Sequence, residues 1–481
     1  MTSILKKSIP FFISILCGIL FTFLLSIGSS PLYKGDSLVF DATVFQSMGW
    51  LWQKGFPPFL YSWDQKGPLI FAINALGFFI GGGGIQTTCL CIMEGLSVGL
   101  FIYIAFLTFR LYFDKRVSSF LSIITVIVLA GSYAGGANTE GFTLPIWGAS
   151  LLFTFKWLNE FDKGLYRFNP WYGFFNGFFL AFAFLTRLTN AAGACGIMAA
   201  VCILLIIKGE WKNLFENIGM FLLGFILLSA PFFIYFYAIG GIDEMMFGTI
   251  WFNVLYSTES LYQPIVKYIT HILSGFPAYA LLAFSVLLFF LDKHERPRAF
   301  VWFMATIMMC LWWFPSRKFL KYIILAVPFL PILLIELDRQ KSRFPKWITM
   351  TVMGLCCLIP MENLRFIHQF KDTTILPLTE RLDKEIPIED RSSFMAYEMN
   401  PQIYMNLNAV PCYRFHIGQE HFSAESPVVK QEIHELFASK KAKWICVKGN
   451  PTVIQDILDT SYHLEQDYSD IGPFRLFQRN E

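Results

Sequence analysis

Apolar runs long enough to cross a bilayer recur through the first three quarters of the chain, and they decide what this sequence is able to fold into. The first reaches from Ile9 to Ile27. Others follow over roughly 86–109, 117–135, 141–158, 172–189, 190–207, 216–238, 276–292, 298–314, 320–336 and 347–361. A helix of about 20 residues spans the ~30 Å hydrocarbon core, so the pattern predicts about eleven transmembrane helices. Composition agrees: at 55% hydrophobic and 15% charged residues, with a mean hydropathy of +0.51, a soluble fold of 481 residues would be unable to hide its apolar surface. The formal net charge of +3, with no long basic run, speaks against nucleic acid as a partner. The first run is longer than the core of a secretory signal and is read as a retained helix.

Lys and Arg orient the bundle. The stretch 67–83 opens with "YSWDQKGP", where Asp64 and Lys66 stand at the edge of sequence that looks ready for lipid. It is read as a helix that does not fully cross. With Lys6 and Lys7 inside, the loops "RLYFDKR", "KWLNEFDKGLYRF", "KGEWKN", "DKHERPR" and "ELDRQKSRFPK" then all fall in the cytoplasm. A crossing 67–83 would put all of them outside. The first loop (29–66), "GGANTEG", 239–275 and the polar tail after residue 363 face outward. "FPSRKFLKY" breaks the rule and places Arg317, Lys318 and Lys321 outside. The chain is thus expected as a multi-pass protein of the plasma (inner) membrane, divided into a transmembrane domain 1–363 and an extracytoplasmic α/β domain 364–481.

In the tail, "SFMAYE" and "KWICVKG" read as buried strands, "VVKQEIHELFASK" and "PTVIQDILDTSY" as helices, and "HLEQDYS" with "FRLFQRN" as a terminal hairpin or strand pair. Eight of the ten cysteines lie in apolar runs and behave as small hydrophobes. Cys412 and Cys446 lie in the tail, where a disulfide is open to them. "GGGG" at 81–84 has no Gly-Lys-Ser/Thr after it and is a connector rather than a phosphate loop. "RFHIGQEHF" gathers His416, Glu420 and His421 without a further ligand at metal spacing, and is read as a surface loop.

The candidate functional residues sit on the outward face. Asp36, Asp41, Asp64 and Lys66 share the first loop, where Phe40, Phe45, Met48, Trp50, Leu51 and Trp52 recur at near-helical spacing. That segment is expected to lie against the membrane surface, so that its carboxylates are partly desolvated and fit to act as a base. A lysine at the lipid boundary is costly unless it meets an anion, and lipid phosphate is the anion available there; a snorkelling interface marker is the plainer alternative. The same two readings apply to Arg317, Lys318 and Lys321. Glu140 and Arg187 stand at outer helix ends and are not specific singly.

Together these segments resemble the GT-C class of polytopic membrane glycosyltransferases, and among them the bacterial relatives of protein O-mannosyltransferases and aminoarabinose (lipid A) transferases. The resemblance rests on "GDSLVF" after the first span and "WDQKGPLIFAINALG" closing the first loop. "GGANTEGFTLP", "FLTRLTN" and "SRKFLKYIILAVPFLP" follow in the same order on the same side. It implies a GT-C fold with a catalytic first loop and a sugar donor carried on a polyprenyl phosphate. It also implies Asp36 as the general base, Lys66 on the donor phosphate and Arg317, Lys318 and Lys321 as the accompanying basic cluster. Where the family often has a second acid beside the base, this chain has Ser37, which leaves a share of that role to Asp41. Glu140 matches an acidic position at a later span.

The implied reaction moves a sugar, with inversion, from the carrier to an extracytoplasmic glycan, lipid or protein. No cofactor or metal is indicated. Two rival readings stand beside it: a transporter or flippase of lipid-linked saccharides, and a non-catalytic glycan-assembly subunit. The first calls for paired charges near the midplane and matching halves, whereas here the charges gather at one face. The second is separated by replacement of Asp36, which a binding subunit tolerates.

Overall fold

A computed structural model describes residues 2–33, 40–81, 86–133, 135–256, 275–313, 324–364 and 374–480. Asp36, Arg317, Lys318 and Lys321 lie outside these described residues. The chain forms two compact units. The first comprises Met1–Ser26, Cys91–Phe232 and Ser260–Gln369, and the second Ile27–Leu90, Phe233–Glu259 and Phe370–Glu481.

Every predicted apolar run carries a helix, and so do the first loop and the stretch 67–83. They are α1 (Thr2–Leu25), α2 (Phe40–Gln53), α3 (Pro68–Gly81), α4 (Gln86–Phe109), α5 (Lys115–Ser132), α6 (Thr139–Phe161), α7 (Pro170–Thr186), α8 (Ala192–Ile207) and α9 (Trp211–Ala238), then Phe276–Leu291, Arg296–Trp313, Phe329–Arg339 and Lys346–Leu364. Among the described residues, Ser8–Leu25, Thr87–Phe109, Lys115–Ser132, Leu188–Ile207 and Trp211–Ala238 are long and apolar enough to cross a membrane. At 14 residues, α3 is roughly 21 Å long and falls short of a full crossing.

The first unit is a helical bundle cored by side chains such as Phe101, Trp147, Phe155, Trp157, Ile197 and Trp302, all within 1% of full burial. Asp114 begins α5 by accepting the amide hydrogens of Arg116 and Val117, and Asn169 begins α7 in the same way through Trp171. The loops assigned to one side by their charge meet in space. Arg298 joins Asp162 at 2.8 Å, Arg343 joins Asp292 at 2.7 Å, Arg339 joins Glu295 at 3.0 Å and Asn213 donates to the Phe168 carbonyl at 2.9 Å.

The second unit contains the polar tail. Its sheet has the order β1 (Phe394–Tyr397), β2 (Trp444–Lys448), β4 (Phe474–Arg479), β3 (Tyr462–Asp467). β1 and β2 are parallel, with Phe394 opposite Trp444, while β2 with β4 and β4 with β3 are antiparallel. The crossover from β1 to β2 holds the helix Pro427–Ala438, begun by Ser426 accepting from Val429. A crossover of that kind is what parallel neighbours require.

Two expectations are corrected here. Residues 42–51 of α2 were expected against the membrane surface, but they are buried inside the second unit. Gly49 packs on the backbone of Asn74 and Ala75 in α3, and Trp50 and Leu51 join the core that includes Leu378, Phe394 and Trp444. Helical spacing of apolar side chains is the same whether lipid or protein covers them. His416, expected on a surface loop, is fully buried, its ring nitrogens 3.4 Å from Ser47 Oγ and 3.3 Å from the Arg414 carbonyl oxygen. Glu420 is a lock rather than a ligand. It accepts from the Thr452 hydroxyl, from Tyr397 Oη at 2.6 Å and from the amides of Thr452 and Val453 at 2.6 and 3.1 Å. Burial acts to raise its carboxyl, and those hydrogen bonds, that of the Thr452 hydroxyl foremost, hold it below the usual range. Cys412 and Cys446 are separate thiols, with burial pushing that of Cys412 up to about 12.

Candidate active site

The described site residues fall into two groups, one in each unit. In the second unit, the turn before α3 is held by its aromatic residue. Trp63 is fully buried, with ring centroids 4.9 Å from Phe252, 5.2 Å from Phe415 and 4.9 Å from Phe422. Asn253 Nδ2 donates to the Gln65 carbonyl at 2.7 Å. A single π-helical turn, Phe247–Trp251, brings Gly248 against the same turn. A Cβ there would lie 3.1 Å from both the Asp64 carbonyl oxygen and the Phe59 ring.

Seated this way, Asp64 and Lys66 are 7% and 9% exposed. Asp64 Oδ1 accepts the Lys66 amide at 2.9 Å and lies 3.9 Å from its Nζ. The ion pair is therefore at the limit of contact, and an ammonium with three donors is not used up by it. Pro68 follows at the first position of α3, where its missing N–H costs nothing. Asp41 stands in the first turn of α2, where the helix dipole favours an anion.

In the first unit, Glu140 occupies the first turn of α6 and is 2% exposed. Thr139 Oγ1 donates to its Oε2 at 2.9 Å, and Arg187 Nη1 donates to its Oε1 at 2.9 Å. Arg187 caps the C-terminus of α7, a position that suits a cation. The structure thus joins two residues that the sequence offered only as separate helix-end charges. It adds three that the sequence reading missed. Glu94, Tyr133 and Asn138 line one narrow cleft, too tight to hold a water molecule, with Glu140, Gly136, Gly141 and Ile324. The signal for Glu94 was there to be used, since a lone carboxylate inside an apolar run ("TTCLCIMEGLSVG") is a site hypothesis by default. Among the described residues no three His, Cys, Asp or Glu side chains gather as a metal-ligand set.

Comparison with solved structures places this architecture. The chain is similar to ArnT from Cupriavidus metallidurans, solved with undecaprenyl phosphate bound, over 97% of each chain, with a TM-score of 0.61 and 12% identity. The fold is that of the GT-C membrane glycosyltransferases, as the sequence resemblance implied. An oligosaccharyltransferase from Archaeoglobus fulgidus, solved with zinc and sulfate, is similar over 90% of this chain and 68% of that one, at 12% identity and a TM-score of 0.49. No protein-family model and no curated protein matches the sequence.

Proposed function

We propose that this chain is an inverting glycosyltransferase that moves a sugar from a polyprenyl-phosphate carrier to an extracytoplasmic glycan, lipid or protein. The observation that carries the reading is the fold likeness, over nearly the whole of both chains, to a protein solved with undecaprenyl phosphate. The conjunction of a buried Asp64–Lys66 turn with a first-loop carboxylate supports it. In this reading the chain is a multi-pass protein of the plasma membrane. Its transmembrane domain is 1–363, and its domain 364–481 lies on the extracytoplasmic side.

In the proposed reaction Asp36, with Asp41 beside it in sequence, takes the proton of the acceptor hydroxyl or amine. The acceptor's electron pair forms the new bond to C1 of the sugar as the bond from C1 to the phosphate oxygen breaks. The leaving phosphate takes that electron pair and is held by Lys66, Arg317, Lys318 and Lys321. A single displacement inverts C1 and needs no covalent enzyme intermediate. The test offers the purified protein a polyprenyl-phosphate sugar and, in parallel, nucleotide sugars. Transfer from the lipid carrier that falls about 10²–10⁴-fold in Asp36→Asn is the expected result. Transfer from a nucleotide sugar alone overturns the lipid donor, and wild-type turnover in Asp36→Asn overturns the base.

A further inference from the structure

Glu94 lies in α4, fully buried, at a level where an apolar run would be expected to stay apolar. Its Oε2 accepts from Ser26 Oγ at 2.7 Å, just past the end of α1. Its Oε1 accepts from Tyr133 Oη, just past the end of α5, and from the Ala137 amide at 2.6 Å. The carboxylate therefore gathers two helix ends and the loop that leads into α6.

That loop has an unusual backbone. Gly135, Gly136 and Ala137 all have positive φ, at 83°, 70° and 54°. Two of them are glycines, which adopt this region freely, and Gly136 has no room for a side chain. A Cβ there would lie 2.3 Å from Ser26 Oγ and 2.7 Å from the Tyr133 ring, the two groups that donate to Glu94. Ala137 has no such freedom, since its Cβ disfavours the left-handed conformation. Its amide is the one that Glu94 holds. The next residue, Asn138, is 6% exposed, lines the cleft beside Glu94 and Glu140, and keeps an Oδ1 without a hydrogen-bond partner among the described residues.

We propose that Glu94 is a positioning residue, resting on the transferase reading above. By holding Ala137 in the left-handed conformation it fixes the start of α6, and with it the open Oδ1 of Asn138 and the Glu140–Arg187 pair, for the transfer reaction. It acts through the loop and not on the reacting atoms.

The test uses the full-length protein in detergent. Glu94→Leu removes every acceptor, Glu94→Gln keeps one carbonyl oxygen, and Ala137→Gly removes the strain that Glu94 offsets. Amide hydrogen exchange over residues 136–140 should rise at least tenfold in Glu94→Leu and less in Glu94→Gln, with exchange at 158–162 unchanged. The kcat/KM for the lipid-linked sugar should fall about tenfold, and Ala137→Gly in the Glu94→Leu background should recover at least a third of wild-type kcat/KM. Unchanged exchange over 136–140, equal loosening at 158–162, or no recovery with Ala137→Gly each overturns the proposal. If Glu94→Leu does not fold, Glu94→Gln decides by the same exchange readout. A wild type that transfers no sugar defeats the transferase reading, and the exchange experiment still decides the role of Glu94.

Discussion

Helix α6 carries a buried polar cluster at each end, and the two are built on opposite principles. Its 23 residues reach roughly 35 Å, about the depth of a membrane core. At the Asp162 end, the five N–H donors of Arg298 meet acceptors on Glu336, Asn159, Asp162 and Tyr112, at 2.8 to 3.2 Å. Trp302 Nε1 adds a further bond to Glu336 at 3.0 Å. At the Glu140 end the pairing is looser. Glu140 meets Arg187, but Asn138 retains an unpartnered acceptor and Ala137 is held in a conformation its side chain resists. At the Asp162 end every Arg298 donor is met, and Glu336 Oε2, which has no hydrogen bond among the described residues, lies 3.3 Å from Arg339 Nε in an ion pair. At the Glu140 end the unmet acceptor has no ion-pair partner among the described residues and stands beside a strained turn.

This contrast is open to direct tests. The largest expected effect is at the closed end. Arg298→Ala takes from the buried Glu336 its fully buried cation and leaves it only the Trp302 hydrogen bond and the Arg339 pair at 3.3 Å, and should lower stability by about 3–5 kcal/mol, read as thermal unfolding in detergent. A variant that melts like wild type would remove the distinction between the two ends.

Next comes His416, a buried polar group of the second unit. Burial pushes its pKa down from 6.5 to about 4, so the folded state holds it neutral. Below pH 6.5 the unfolded chain binds a proton that the folded chain does not. Stability should therefore decline by about 3 kcal/mol between pH 6.5 and 4 and lose no more from this group below that. His416→Leu should flatten that part of the pH profile. An unchanged slope would assign the acid sensitivity to another group.

Lys66→Ala should lower kcat/KM for a lipid-linked donor by about 1.5–3 kcal/mol, the range of a charge-assisted contact, with little change in melting. A large loss of stability instead would make the Asp64–Lys66 pair a structural tie like that of Arg298. The smallest effect is expected of Asn138→Ala. It deletes an acceptor that has no hydrogen-bond partner, so stability should stay within about 0.5 kcal/mol. Destabilisation beyond that would show the open end of α6 to be as fully bonded as the closed one.

The sequence carried most of the architecture because apolar length and strand-like runs are local properties. The helices from α4 to Lys346–Leu364 and the strands Phe394–Tyr397 and Trp444–Lys448 follow directly from them. What covers an apolar face is not local. Val44, Phe45, Met48 and Leu51 would read identically against lipid, and they are enclosed by protein because α3 and the tail come back to them. The same limit hid the role of Glu94, whose partners lie 68, 39 and 43 residues away in sequence. Asp64, Lys66, Glu140 and Arg187 were legible as chemistry, since each is a charge at the edge of an apolar run. Their pairing was not, because Glu140 and Arg187 stand 47 residues apart.

The aromatic seat of Trp63 imposes an order in time. Two of its walls, Phe415 and Phe422, lie far beyond it in the chain and are made long after it. At about 5–20 residues per second, Trp63 leaves the ribosome roughly 20–70 s before Phe415 does. Through that interval the Asp64–Lys66 turn has no finished seat, however completely the early helices have inserted. Chains broken off between Trp63 and Phe415 should therefore insert their early helices and still leave this turn unseated, which makes closure of the aromatic seat a late step in the making of each copy.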